Sequence, residues 1–93
     1  MMTETETEVL ELVEQETVIT DTKELVLYND DYNTFDHVIE SLVKVCRHDV
    51  LQAEQCTWII HYNGKCSVKK GAFEILKPMR QALSERGLDA KIH

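Results

Sequence analysis

The 93-residue chain has little of what bends or interrupts a backbone: one proline and three glycines. Gly64, Gly71 and Gly87 are too scattered for a phosphate-cradling loop, so the common nucleotide-binding motifs are excluded. No run of eighteen apolar residues occurs, and no membrane span is expected. The three cysteines, Cys46, Cys56 and Cys66, are odd in number, ten residues apart and free of any CxxC pair. That spacing argues against a disulfide framework or a structural zinc site, and a free thiol at an apolar helical position usually acts as a small buried hydrophobe. Basic residues are also short, 10 against 17 acidic, for a formal charge of −7. Without a basic stripe, nucleic-acid binding is not expected. The opening Met1-Met2-Thr3-Glu4 lacks the basic and apolar regions of a signal peptide, which leads to the expectation of a cytoplasmic protein.

The charge is uneven. Residues 1–22 hold seven acids (Glu4, Glu6, Glu8, Glu11, Glu14, Glu16 and Asp21) and no Lys or Arg, whereas residues 23–93 are balanced. The first stretch reads as a flexible acidic N-terminal arm, too self-repelling and too sparsely apolar to build a core. The second is a neutral module of a size that permits one small two-layered domain.

Within the module, Leu25-Val26-Leu27-Tyr28 suits a buried strand that ends in the turn residues Asn29-Asp30-Asp31. Asn33 can cap a following helix, with Asp36 well placed for its dipole. Phe35, Val38, Ile39, Leu42, Val43 and Cys46 then form one helix face. Asp49, with Gln52 three residues on, starts a second helix that runs to His61, and Asn63-Gly64 supplies its left-handed exit. Cys66 to Lys70 reads as a strand paired on one side. A third helix is expected from about Ala72 to Arg86, with Ile75, Leu76, Met79 and Leu83 inward, Gly87 as its stop, and a kink or late start at Pro78. Leu88 to Ile92 is the last strand. The order β-α-α-β-α-β predicts an α+β module, three helices against a three-stranded sheet.

Little in this chain supports catalysis. No nucleophile is paired with a base in any recognisable motif. Asp30 and Asp31 could do acid–base work or bind a cation, but Asn and Asp at a strand end more commonly satisfy turn amides. His61 ends an apolar helix, where a histidine is usually structural. Lys65, Lys69 and Lys70 form a local basic patch, and Tyr32 lies near Phe35 beside the acidic turn.

Taken together, Val-Leu-Tyr-Asn-Asp-Asp-Tyr at 26–32 and Ile-His-Tyr-Asn-Gly-Lys at 60–65 closely resemble the ClpS family, adaptors of the bacterial N-end rule. The resemblance runs from about Glu24 to Ile92. It implies the fold of the ribosomal stalk-protein C-terminal domain with an antiparallel sheet, and a non-enzymatic adaptor that binds a free N-terminal Leu, Phe, Tyr or Trp. The substrate would pass to a ClpA or ClpC type AAA+ unfoldase and its ClpP protease. By position, Asn29, Asp30 and His61 would meet the α-amino group. Asp31, Asn33, Thr34, Phe35, Val38, Thr57, Ile60 and Leu88 would line the side-chain pocket. No cofactor and no metal is implied, and a monomer is expected.

The chain also departs from the family pattern. Asn33-Thr34-Phe35 stands where Thr-Pro-Met is usual, which replaces a flexible pocket-mouth methionine by a rigid ring. On the unfoldase-facing helix Glu74 is matched, but the usual Lys five residues on is Met79, with Lys77 and Arg80 nearby. Two other readings compete: a generic interaction module of the same fold that needs no Asn29/Asp30/His61 cluster, and a small metal-dependent enzyme or sensor built on Asp30, Asp31 and His61.

Overall fold

The computed structural model describes residues 21–93. The acidic arm assigned to residues 1–22 lies outside them except for Asp21 and Thr22. The described chain runs β1 (Lys23–Tyr28), α1 (Phe35–Cys46), α2 (Val50–Asn63), β2 (Lys65–Gly71), α3 (Phe73–Glu85) and β3 (Asp89–Ile92). This is the expected α+β order.

β1 is central in an antiparallel sheet of order β2-β1-β3. Alternation along it sends Leu25 and Leu27 into the core, where they meet Leu42 and Cys46 of α1, Ala53 and Ile60 of α2, and Leu76 and Leu83 of α3. The β1–β2 register shifts between Leu25 and Val26, so that Leu25 faces Lys69 and Val26 faces Ser67. Val68 is therefore the extra residue of a bulge. Its carbonyl accepts a 2.6 Å hydrogen bond from Nε2 of buried His48, whose Nδ1 has no partner among the described residues.

Helix ends follow local chemistry, with two corrections at the ends and one on the buried face of α3. α1 is capped by Thr34, which accepts from the His37 amide, and not by Asn33. Asn33 is drawn away because its side chain bonds across the turn. α3 begins at Phe73 and accommodates Pro78 in its second turn, so of the kink or late start expected there, the late start does not occur. Ile75 is 57% exposed and lies off the buried stripe of α3, which Leu76 and Leu83 supply. Asp49 caps α2 and accepts from the Gln52 amide, as its sequence predicts. Gly64 ends α2 at φ 87°, where a Cβ would be strained.

Candidate functional site

At its C-terminal end β1 lies between the start of β2 and the start of β3, with Tyr28 opposite both Lys65 and Asp89. One further rung ties the two halves of the site together: the Asn29 amide donates to the Gly64 carbonyl at 2.8 Å. The turn after β1 is thus held against the last turn of α2, which carries His61. Asn29 and His61, distant in sequence, are brought by this rung to the same end of the molecule.

Between them opens a cavity of about 300 Å³, lined by Asn29, Asp30, Asp31, Asn33, Thr34, Phe35, Val38, Thr57, Ile60 and His61. Leu88 lines a small adjoining recess together with Leu27, Val38 and Ile60. Ile60 and Thr57 are buried, and the Thr57 hydroxyl donates to the Ala53 carbonyl at 2.7 Å. Thr57 therefore offers the cavity no spare donor. The walls are apolar and the mouth is rich in acceptors.

Asp30 organises that mouth. Its Oδ1 accepts from the Tyr32 and Asn33 amides, both at 2.8 Å, and its Oδ2 accepts from Asn33 Nδ2 at 2.7 Å. Partial burial pushes the carboxyl up, but these donors and the nearby His37 outweigh it and hold Asp30 below its usual range. The carboxylate is ionised at neutral pH. Asn33 Nδ2 also reaches the Gly87 carbonyl at 2.9 Å, and His37 Nε2 donates to the Arg86 carbonyl at 2.8 Å. Arg86 in turn donates to Ser41 Oγ at 2.8 Å, so the end of α3 braces α1 behind the cavity.

Aromatic rings form one side of the rim. Phe35 meets Trp58 edge-to-face at 4.7 Å and His61 at 5.3 Å between ring centroids, and Trp58 stacks on Tyr62. Trp58 and Tyr62 are not among the residues expected at the site. Their signal in the sequence is the i, i+3, i+4 spacing of Trp58, His61 and Tyr62, which puts all three on one helix face.

The family model for the ATP-dependent Clp protease adaptor protein ClpS matches residues 20–91. The chain belongs to the ClpS family. It is 42% identical over 41 residues to the Salmonella gallinarum ATP-dependent Clp protease adapter protein ClpS, across 44% of this chain and 39% of that protein. It is 28% identical over 68 residues to human E3 ubiquitin-protein ligase UBR1, across 73% of this chain and 4% of that protein. The chain thus spans less than two fifths of the length of either curated relative. Among solved structures it is similar in fold to Agrobacterium tumefaciens ClpS2 bound to L-phenylalaninamide, with a TM-score of 0.69, 22% identity, and coverage of 78% of this chain and 95% of that one.

Within this ClpS-family module, Glu74, Lys77 and Arg80 lie exposed on α3 and do not line the cavity. Among the described residues no group of three His, Cys, Asp or Glu side chains is placed to hold a metal ion. No helix among them is long and apolar enough to cross a membrane. The cysteines are free thiols; burial pushes Cys46 up to about 11 and Cys66 up to about 12, the latter helped by neighbouring Cys56. Cys46 and Cys66 are protonated packing groups.

Proposed function

We propose that the protein is a non-enzymatic adaptor that binds the free N-terminal residue of substrate proteins, with Leu, Phe, Tyr or Trp in the cavity, and delivers them to a ClpA or ClpC type unfoldase with ClpP. One observation carries this reading: an apolar cavity whose mouth presents an ionised carboxylate, an amide and an imidazole together. An α-ammonium brings three donors and a positive charge, which match Asp30, the Asn29 side chain and an acceptor nitrogen of His61. The first side chain leaves water against Val38, Thr57 and Ile60, gaining up to roughly 1.5–3 kcal/mol, enough to separate large from small residues. The L-phenylalaninamide bound to the Agrobacterium protein has that chemistry, a free α-amine beside an aromatic side chain.

The test is fluorescence anisotropy with a Leu-starting peptide and its N-acetylated twin. Binding that survives acetylation would refute the reading.

Three finer elements belong to the same proposal. Phe35, pinned between Trp58 and His61, narrows the choice among large first residues, and Phe35→Met should broaden it. Glu74, with Lys77 and Arg80, faces the unfoldase, so Glu74→Lys should abolish its capture while peptide binding persists. Residues 1–22 are the part the unfoldase engages; their deletion should leave peptide affinity unchanged and abolish degradation of a Leu-starting reporter. The adaptor acts as a cytoplasmic monomer. A generic interaction module would instead keep its partner after Asp30→Ala.

A further inference from the structure

Resting on that reading of the cavity, we infer that the Trp58–Tyr62 pair is a second subsite, which takes an aromatic side chain at the second position of the same peptide. The two rings lie 15° from parallel with centroids 5.5 Å apart, and remain 49% and 74% exposed. Large aromatic rings on a surface are ordinarily free to turn; these are held. Phe35 packs its ring against Trp58 at 4.7 Å, and His61 meets Tyr62 at 5.2 Å, each at a steep angle. A platform already fixed loses little rotamer freedom when it binds.

The platform is continuous with the cavity, because Phe35 and His61 belong to both. Its distance suits the second residue. The Tyr62 and Trp58 centroids lie 5.2 and 6.2 Å from that of His61. Consecutive Cα atoms are about 3.8 Å apart, and a side chain reaches several ångströms further. In this pose the α-amine sits beside His61, the first side chain fills the cavity, and the peptide leaves over the Phe35–His61 side of the mouth. The second side chain then has the half-exposed Trp58 and the exposed Tyr62 within reach. Offset-stacked and edge-to-face contacts favour an aromatic partner beyond its area alone.

The experiment is titration calorimetry of the full chain with peptides beginning Leu-Phe, Leu-Ala and Leu-Lys, and with N-acetylated Leu-Phe. Leu-Phe should bind about 3- to 10-fold more tightly than Leu-Ala. In Trp58→Ala that ratio should fall to about one, while the free peptide still binds far better than its acetylated twin. Tyr62→Ala should reduce the ratio in the same direction, which keeps the test open if one variant folds poorly. Trp58 is the chain's only tryptophan, so its emission should shift more with Leu-Phe than with Leu-Ala. A Phe-to-Ala ratio that persists in both variants overturns the subsite. A Leu-Lys peptide that gains as much as Leu-Phe overturns its aromatic character. If the unaltered protein binds acetylated and free peptides alike, the receptor reading itself fails and takes the subsite with it.

Discussion

Replacing Asp30 by asparagine removes one charge and almost no shape, so it isolates the electrostatic part of recognition. The introduced side chain could keep the Oδ1 bonds from the Tyr32 and Asn33 amides, both 2.8 Å in the parent. It would lose the bond to Asn33 Nδ2, since two amide NH2 groups would then face each other. What disappears for the ligand is a carboxylate partner of the α-ammonium. Two unit charges 4 Å apart attract by about 1 kcal/mol in bulk water and about 4 kcal/mol near a protein surface. The half-exposed mouth falls between, in agreement with roughly 1.5–3 kcal/mol for a hydrogen bond to a charged group. Affinity for a free-amine peptide should therefore drop about 10- to 150-fold. The loss should shrink as salt is raised, because a partly exposed pair is screened. Calorimetry at two salt concentrations, with the acetylated peptide as control, reads the effect. The thermal midpoint should move by only a few degrees, equivalent to about 1 kcal/mol. An unchanged affinity, or an equal loss for the acetylated peptide, would refute the assignment of Asp30 to the amine.

Stability should fall as pH drops below the ordinary carboxylate range. Asp30 is held low, its burial outweighed by its amide donors, and Glu40 is lowered by the hydrogen bond and charge of Lys44 and then by Arg86. A depressed folded pKa gives stabilisation that is complete above the unfolded value and is lost as pH falls through the folded one; Asp30→Asn should flatten part of that slope in thermal melts. Gly64→Ala should cost about 1–2 kcal/mol from φ 87° alone, since a Cβ there meets nothing within 4 Å; a loss under about 0.3 kcal/mol by denaturant titration would contradict that strain. His48→Ala should destabilise by about 1–3 kcal/mol because the bulge carbonyl of Val68 loses its buried donor, an effect that chemical denaturation would measure. Pro78→Ala should raise the thermal midpoint, restoring a backbone donor in the second turn of α3 at a gain of about 1–3 kcal/mol.

The element order is legible because each apolar segment keeps one period. Leu25 to Tyr28 suits only a short buried strand, and Phe35 to Cys46 repeats every three to four residues without a break. The cap of α1 escapes the sequence for a local reason. Asn33 and Thr34 are both good caps, and the bonds of Asn33 to Asp30 across the turn and to the distant Gly87 carbonyl decide between them. Ile75 is misplaced by its pattern because a helical stripe of four candidates does not say which edge the sheet covers. The cluster of Asn29, Asp30 and His61 comes from the resemblance and not from spacing, since their proximity depends on the Asn29–Gly64 rung. The brace of His37 and Arg86 leaves no trace in the sequence, as each residue alone looks like ordinary surface.

That rung between the Asn29 amide and the Gly64 carbonyl has a thermodynamic consequence. The two sides of the mouth belong to different strands' ends, so a ligand that bridges them also fastens β1 to the start of β2. Neither side retains its geometry once the sheet opens, and the unfolded chain has no comparable affinity. Binding must then add RT ln(1 + [L]/Kd) to global stability, about 2.7 kcal/mol at a hundredfold excess over Kd. Occupancy should therefore slow amide exchange across the whole β1–β2 ladder, as far as the bulge at Val68, well away from any atom the ligand touches.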